Sequence, residues 1–147
     1  MPILKKILCP VDFSDIHEQL IDYALEFGRG LGAEIEFLYV APDLAVHLPF
    51  GVENDDVMHI IADLTAGAEK KMRKLLTTVR REIEADGHVV YGYPAEAIVE
   101  MAVQQGSDLI LMGTHGKTGI HRVLFGSVAD QVIKSSPVPV ITVRPKT

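Results

Sequence analysis

The stretch Leu109-Ile110-Leu111-Met112-Gly113-Thr114-His115-Gly116, followed nine residues later by Gly126-Ser127, decides how this chain is read. The apolar run before Gly113 is short and reads as a buried strand. Val128 to Ile133 repeats apolar residues at helical spacing, so a helix is expected from about Ser127 to Ser135. A strand, a glycine turn and a helix N-terminus bring backbone N–H groups together where the helix dipole favours an anion. Gly113 and Gly116 allow positive φ and a close backbone approach. Gly126 leaves room for a phosphate, with the amides of Ser127 and Val128 and the Ser127 hydroxyl as donors. The competing reading is a plain glycine-rich turn that holds no ligand.

Upstream, Ile7-Leu8-Cys9-Pro10-Val11 is a short apolar strand that ends at Asp12. Ser14 or Asp15 can cap a helix whose face is Ile16, Leu20, Tyr23, Ala24, Phe27 and Leu31, stopped by Gly30 and Gly32. Ile35 to Val40 is a second strand, rich in β-branched and aromatic residues. Residues 41–53 form a long loop, in which His47, Pro49 and Phe50 read either as a lid or as an ordinary connection. A long helix is expected from about Asn54 to Glu84, burying a stripe that runs from Val57, Ile60 and Leu64 to Val79 and Ile83 and broken by Gly87. His88 to Tyr91 is the third strand, Pro94 opens a helix that Gly106 ends, and Val138 to Val143 is the fifth strand.

Strands with apolar centres alternating with helices mean a parallel sheet covered on both faces. The expected fold is α/β, an open doubly wound five-stranded parallel sheet in the order 3-2-1-4-5, in one domain over residues 1–147. In such a sheet ligands bind beyond the carboxyl ends of the strands, where the strand order reverses. That point falls between the first and fourth strands, which end at Asp12 and Gly113. Asp12 suits a ribose hydroxyl or a metal ion bridging to phosphate, and its bland role is a helix-capping acid. The edge near Val40 can offer backbone hydrogen bonds to a base. Lys117, His121 and Arg122 can screen phosphate charge, and His115 positions the turn or touches phosphate.

Other readings fail on spacing or composition. A Walker A loop requires glycine where Leu111 stands. Gly28-x-Gly30-x-Gly32 follows a helix, so it is no dinucleotide fingerprint. The net charge of −6 argues against nucleic acid and anionic membrane as partners. No apolar run reaches the ~18 residues of a membrane span, and the N-terminus does not read as a signal peptide, so the cytoplasm is the expected location. Cys9 reads as a buried hydrophobe. The histidines at 17, 47, 59, 88, 115 and 121 show no metal-ligand spacing, so no dedicated metal site is expected. Lys70, Lys71, Arg73, Lys74, Arg80 and Arg81 read as a solvated helix face. The last strand is apolar, uncharged and expected at an edge, which invites pairing with a second copy through Val138 to Val143.

With these residues in view, the chain resembles the ATP-binding branch of the universal stress protein family. The family's motif G-x2-G-x9-G-[S/T] is met by Gly113, Gly116, Gly126 and Ser127. The likeness extends to Ile7 through Ser14, Leu38-Tyr39-Val40, Gly92-Tyr93-Pro94 and Pro137-Val138-Pro139-Val140. Tyr93 departs from the small or polar residue usual before that proline, which bears on the helix cap. The resemblance implies a nucleotide site made of Pro10, Val11, Asp12, Val40, Met112, Gly113, Thr114, His115, Gly116, Gly126, Ser127 and Val128. Asp12 would contact ribose, the backbone of Val40 adenine, and Gly126 to Val128 the phosphates. ATP (or ADP or AMP) is the implied ligand, with Mg2+ carried by its phosphates near Asp12. No catalytic residue is assigned. The expected function is nucleotide-dependent regulation under stress through a homodimer, and the alternative is a slow ATPase or an adenylyl-transfer enzyme.

Overall fold

Apolar strand centres flanked by amphipathic helices assemble as the alternation demands. The computed structural model describes residues 3–13, 16–42, 54–114 and 119–144. In chain order the elements are β1 (Lys6–Pro10), α1 (Ile16–Leu31), β2 (Glu34–Pro42), α2 (Asn54–Val79), β3 (Ala85–Gly92), α3 (Pro94–Gln104), β4 (Leu109–Gly113), α4 (Gly119–Ser135) and β5 (Val140–Val143). The strands form one parallel sheet in the order β3-β2-β1-β4-β5, as expected from the sequence.

Side chains alternate across the sheet, so each strand feeds two cores. On one face Ile7, Cys9, Ile35 and Phe37 pack with Leu20 and Ala24 of α1 and with Met72, Leu76 and Val79 of α2. On the other, Leu8, Leu38, Ile110 and Met112 pack with Ile98 and Ala102 of α3 and with Ala129 and Val132 of α4. β4 is buried along its whole length, which explains its unbroken apolar sequence.

Several boundaries differ from the sequence reading, each for a physical reason. α1 runs through Gly28 and Gly30, and only Gly32, at φ +63°, turns the chain out of it. Gly28 is close-packed instead, since a Cβ there would lie 3.1 Å from Ile83 Cγ2. α2 ends at Val79, not near Glu84, because the chain from Arg80 turns toward the sheet and buries Ile83. The Arg80 side chain braces that turn by donating to Ala85 O at 2.9 Å. Gly87 does not break the helix; it lies within β3 beneath α2, where a Cβ would lie 2.7 Å from Met72 Sδ. Ile60 and Leu64 are about half exposed rather than buried. The 26 residues of α2 span about 39 Å at 1.5 Å per residue, so the helix outruns the sheet that buries its second half. α3 opens with Pro94 after Tyr93, which makes no side-chain cap bond, in line with the doubt raised by that residue.

Candidate functional site

β1 and β4 lie side by side where the strand order reverses, the point at which open parallel sheets form a ligand crevice. β1 and β4 are in register only through Ile7↔Leu109 and Leu8↔Ile110. Beyond that level Pro10 and Val11 on one side and Met112 and Gly113 on the other are buried at the base of the opening. Asp12 lies at the top of β1 and is half-buried. The switch point therefore brings together the two strand ends that the sequence had paired.

β2 rises past β1. The last bond of the β1–β2 ladder runs from Val11 N–H to Leu38 O at 2.8 Å, while β2 continues to Pro42. Backbone groups of a parallel strand turn alternately to its two neighbours. Glu34 N–H donates to Lys5 O on the β1 side, and Ile35 N–H donates to Glu84 O on the β3 side. By the same alternation the N–H and C=O of Val40 face the β1 side, one step beyond the closing bond. An edge with one donor and one acceptor, spaced as in a strand, is the complement of a planar heterocycle's hydrogen-bonding edge.

Asp12 has an aromatic neighbourhood that the sequence reading missed. The rings of Phe13 and Tyr39 stand 5.2 Å apart. Burial, and then the nearby Asp12 carboxylate, hold the Tyr39 phenol above its ordinary value. Phe13 adopts φ +58°, a left-handed conformation that non-glycine residues rarely take. That turn carries the chain from β1 onto the α1–α2 face and folds the Phe13 ring against that core. The signal was in the sequence, an aromatic residue directly after the acid at the end of the first strand, but it was read only as part of a family pattern.

The glycine clusters are arranged differently from expectation. α4 begins at Gly119, not at Ser127, so Gly126 and Ser127 are its eighth and ninth residues. Ile120, Val123 and Leu124 carry the apolar spacing of Val128 and Val132 back through the motif. A glycine inside a helix costs only about 1 kcal/mol relative to alanine, too little to stop it. The amides of Ser127 and Val128 therefore donate within the helix, to the carbonyls of Val123 and Leu124. The Ser127 side chain is exposed. Thr114 is also engaged, its N–H and Oγ1 both donating to Val143 O at 3.0 and 3.4 Å. His115, Gly116 and Lys117 lie outside the described residues, as do His47, Pro49 and Phe50. His121 and Arg122 fall on α4, their side chains outside the description.

At the other end of the sheet a polar cluster has no counterpart in the sequence reading. Glu36 is buried on β2, with Oε1 3.5 Å from Lys6 Nζ and Oε2 3.9 Å from His88 Nε2. Lys6 also pairs with Glu34 at 3.2 Å, and that hydrogen bond raises its ammonium above the ordinary lysine value. Among the described residues no group of three histidine, cysteine or acidic side chains converges to hold a metal ion, and no helix is long and apolar enough to cross a membrane.

A model of the universal stress protein family matches residues 4–144. Universal stress protein MJ0531 of Methanocaldococcus jannaschii is 35% identical over 144 residues, covering 97% of this chain and 83% of the relative. Universal stress protein MJ0577 of the same organism is 32% identical over 155 residues, covering 97% and 96%. The solved structure of MJ0577 superposes with a TM-score of 0.85 at 31% identity over 99% of both chains. UspA from Lactobacillus plantarum follows at 0.82 and 30% identity, over 98% of this chain and all of that one. Two universal stress protein structures of lower identity share the fold, one from Archaeoglobus fulgidus in complex with dAMP and another in complex with cAMP.

Proposed function

The chain belongs to the universal stress protein family, and from that premise we propose that it is an ATP-binding regulatory protein in which nucleotide occupancy sets conformation or partner choice. The observation that carries this reading is the crevice itself. In this reading it joins the backbone of Val40, the Asp12 carboxylate and the buried Gly113, which lie at or beyond the carboxyl ends of three neighbouring strands. Adenine meets the Val40 edge, ribose hydroxyls donate to Asp12, and Pro10, Val11 and Met112 form the floor. The dAMP and cAMP bound by two relatives support an adenine nucleotide as the ligand class.

The adenosine half fits the residues as they stand, and the phosphate half requires a change. The amides of Ser127 and Val128 become donors to phosphate only when the first two turns of α4, up to Gly126, give up their helical bonds. Nucleotide binding is thus coupled to local unwinding, which provides the conformational signal. Mg2+ would enter with the phosphates, Asp12 being the nearest acid to hold it. His115 and Gly116 complete the motif.

The free edge of β5 supports a homodimer. Ile141 is exposed on a short apolar strand that, among the described residues, pairs only with β4. We place the working unit in one domain over residues 1–147, acting in the cytoplasm.

The test is a thermal-stability titration with Mg-ATP, ADP, AMP and GTP, on the wild type and on Asp12→Ala and Gly113→Val. A ligand that binds only the native state raises Tm, by about 2.7 kcal/mol of added stability at a hundred times Kd. ATP should raise Tm in the wild type and much less in either variant. No ATP-dependent shift in the wild type would sink the nucleotide reading.

A further inference from the structure

A second concave site opens on the face that carries α1 and α2. It encloses about 610 Å³, and its floor is apolar, built from Ile21 and Leu25 of α1 and from Leu75 and Val79 of α2. Phe13 contributes its ring to the wall. The rims are charged, with opposite signs on the two sides. Glu18 and Asp22, four residues apart on α1, share one side of that helix. Lys71 and Lys74, three apart, do the same on α2. All four side chains are exposed.

Among the described residues no ion pair crosses this groove; the pairs that form lie elsewhere, such as Arg29–Glu82 and Arg80–Asp86. Lys71 instead holds its Nζ 5.8 Å from the centre of the Phe13 ring, over the apolar wall. Two complementary rims that stay apart leave a trough with apolar bottom and unspent charge on both banks. Such a trough matches an amphipathic helix, whose apolar stripe fills the floor while its flanks meet the banks.

The dimensions agree. Along α2 the lining runs from Lys71 to Val79, a rise of about 12 Å and so about two turns of a docked helix. The charges exclude a compact anion, which would meet Glu18 and Asp22 as closely as the lysines, and exclude a compact cation for the converse reason. We propose that the α1–α2 groove is a docking site for an amphipathic helix of a partner protein, basic along the flank facing α1 and acidic along the flank facing α2.

The probe is a capped, fluorescein-labelled peptide of about four helical turns, with leucines at i, i+4, i+7 and i+11, lysines on one flank and glutamates on the other. Anisotropy is measured against the full chain without nucleotide, so the outcome does not depend on the ATP reading. Saturable binding is expected, and Lys71→Glu with Lys74→Glu should weaken it about tenfold or more. A second peptide whose glutamate flank is replaced by lysine should regain that loss on the charge-reversed protein and bind the wild type poorly. Both lysines are exposed, and circular dichroism confirms that the variant is folded. Three results overturn the proposal: no saturation up to about 1 mM peptide, a Kd of −4.1 kcal/mol on the affinity scale; equal binding by wild type and reversed protein; or loss of self-association in the reversed protein, which would give the groove to a second copy.

Discussion

Replacing Leu124 with glycine should tighten ATP binding, although it only removes side-chain atoms. α4 begins at Gly119 and holds the amides of Ser127 and Val128 in its interior. Phosphate and helix compete for those amides, so anything that weakens the first two turns strengthens binding. Leucine favours a helix over glycine by about 0.8 kcal/mol, which converts to about a fourfold gain in affinity at 1.4 kcal/mol per tenfold. The opposite change, Gly126→Ala, stabilises the helix by about 1 kcal/mol and should weaken binding at least fivefold. Isothermal titration of Mg-ATP against wild type and both variants reads the two signs. Far-ultraviolet circular dichroism supplies the second observable: saturation with ATP should cost the signal of the eight residues from Gly119 to Gly126, just under half of the 17 in α4. Leu124→Gly that leaves affinity unchanged or lowers it, with no loss of helical signal on ATP binding, would refute the competition.

Gly87→Ala should destabilise the fold by about 1–3 kcal/mol through overpacking, because the new Cβ would lie 2.7 Å from Sδ and 2.8 Å from Cγ of buried Met72; urea unfolding reads the loss, and Met72→Ala in the same chain should leave it smaller than the sum of the two single changes. Burial lifts the Cys9 thiol far above its ordinary value of 9.0, so above about pH 9 the unfolded chain binds fewer protons than the native one and stability falls by about 1.4 kcal/mol per pH unit. Below that window the contribution is whole; Cys9→Ala should flatten the slope between about pH 9 and 10, before Tyr39 and Lys6 add to it, as followed by urea midpoints across pH. Ile141→Lys should convert a dimer to a monomer in light scattering, and a wild type that is monomeric at micromolar concentration would remove the β5 pairing.

The sheet was legible because its evidence is redundant. Strand centres are mostly apolar, β1 runs into Asp12 while β2, β3 and β4 end at Pro42, Gly92 and Gly113, and β4, buried on both faces, shows no polar residue to confuse the pattern. The adjacency of β1 and β4 was legible for the same reason, since the alternation of strands and helices restricts the strand order. What was not legible depends on distant partners. Arg80 through Glu84 is as helical in composition as the residues before it, and the chain leaves the helix because Ile83 gains a core and Arg80 gains the Ala85 carbonyl. Periodicity at Ile60 and Leu64 reports a face, whereas burial needs something opposite, and the sheet has ended by that height. Gly87 shows the ambiguity of glycine itself: the same residue type that ends helices also permits the close approach of Met72. The start of α4 is the hardest case, because Gly126 costs the helix only about 1 kcal/mol, too little to mark where it begins.

Asp12 and Phe13 are consecutive residues that serve different faces of the molecule. In the proposed site the carboxylate serves the crevice at the switch point, whereas the ring belongs to the wall of the groove between α1 and α2. The left-handed φ of +58° at Phe13 is what divides them. A non-glycine residue held there costs on the order of 1–3 kcal/mol, and such strain persists only where the surroundings over-determine it. Tyr39 does so here, stacking on Phe13 while feeling the charge of Asp12. A ligand held by Asp12 would act next to a residue already in a strained conformation, which gives the proposed crevice a direct neighbour in the groove wall. If nucleotide in the crevice alters helix docking in the groove, thermodynamic reciprocity requires the docked helix to alter nucleotide affinity by the same factor. On the proposed readings of the crevice and the groove, the short path from Asp12 to Phe13 would couple the two sites without a long-range network.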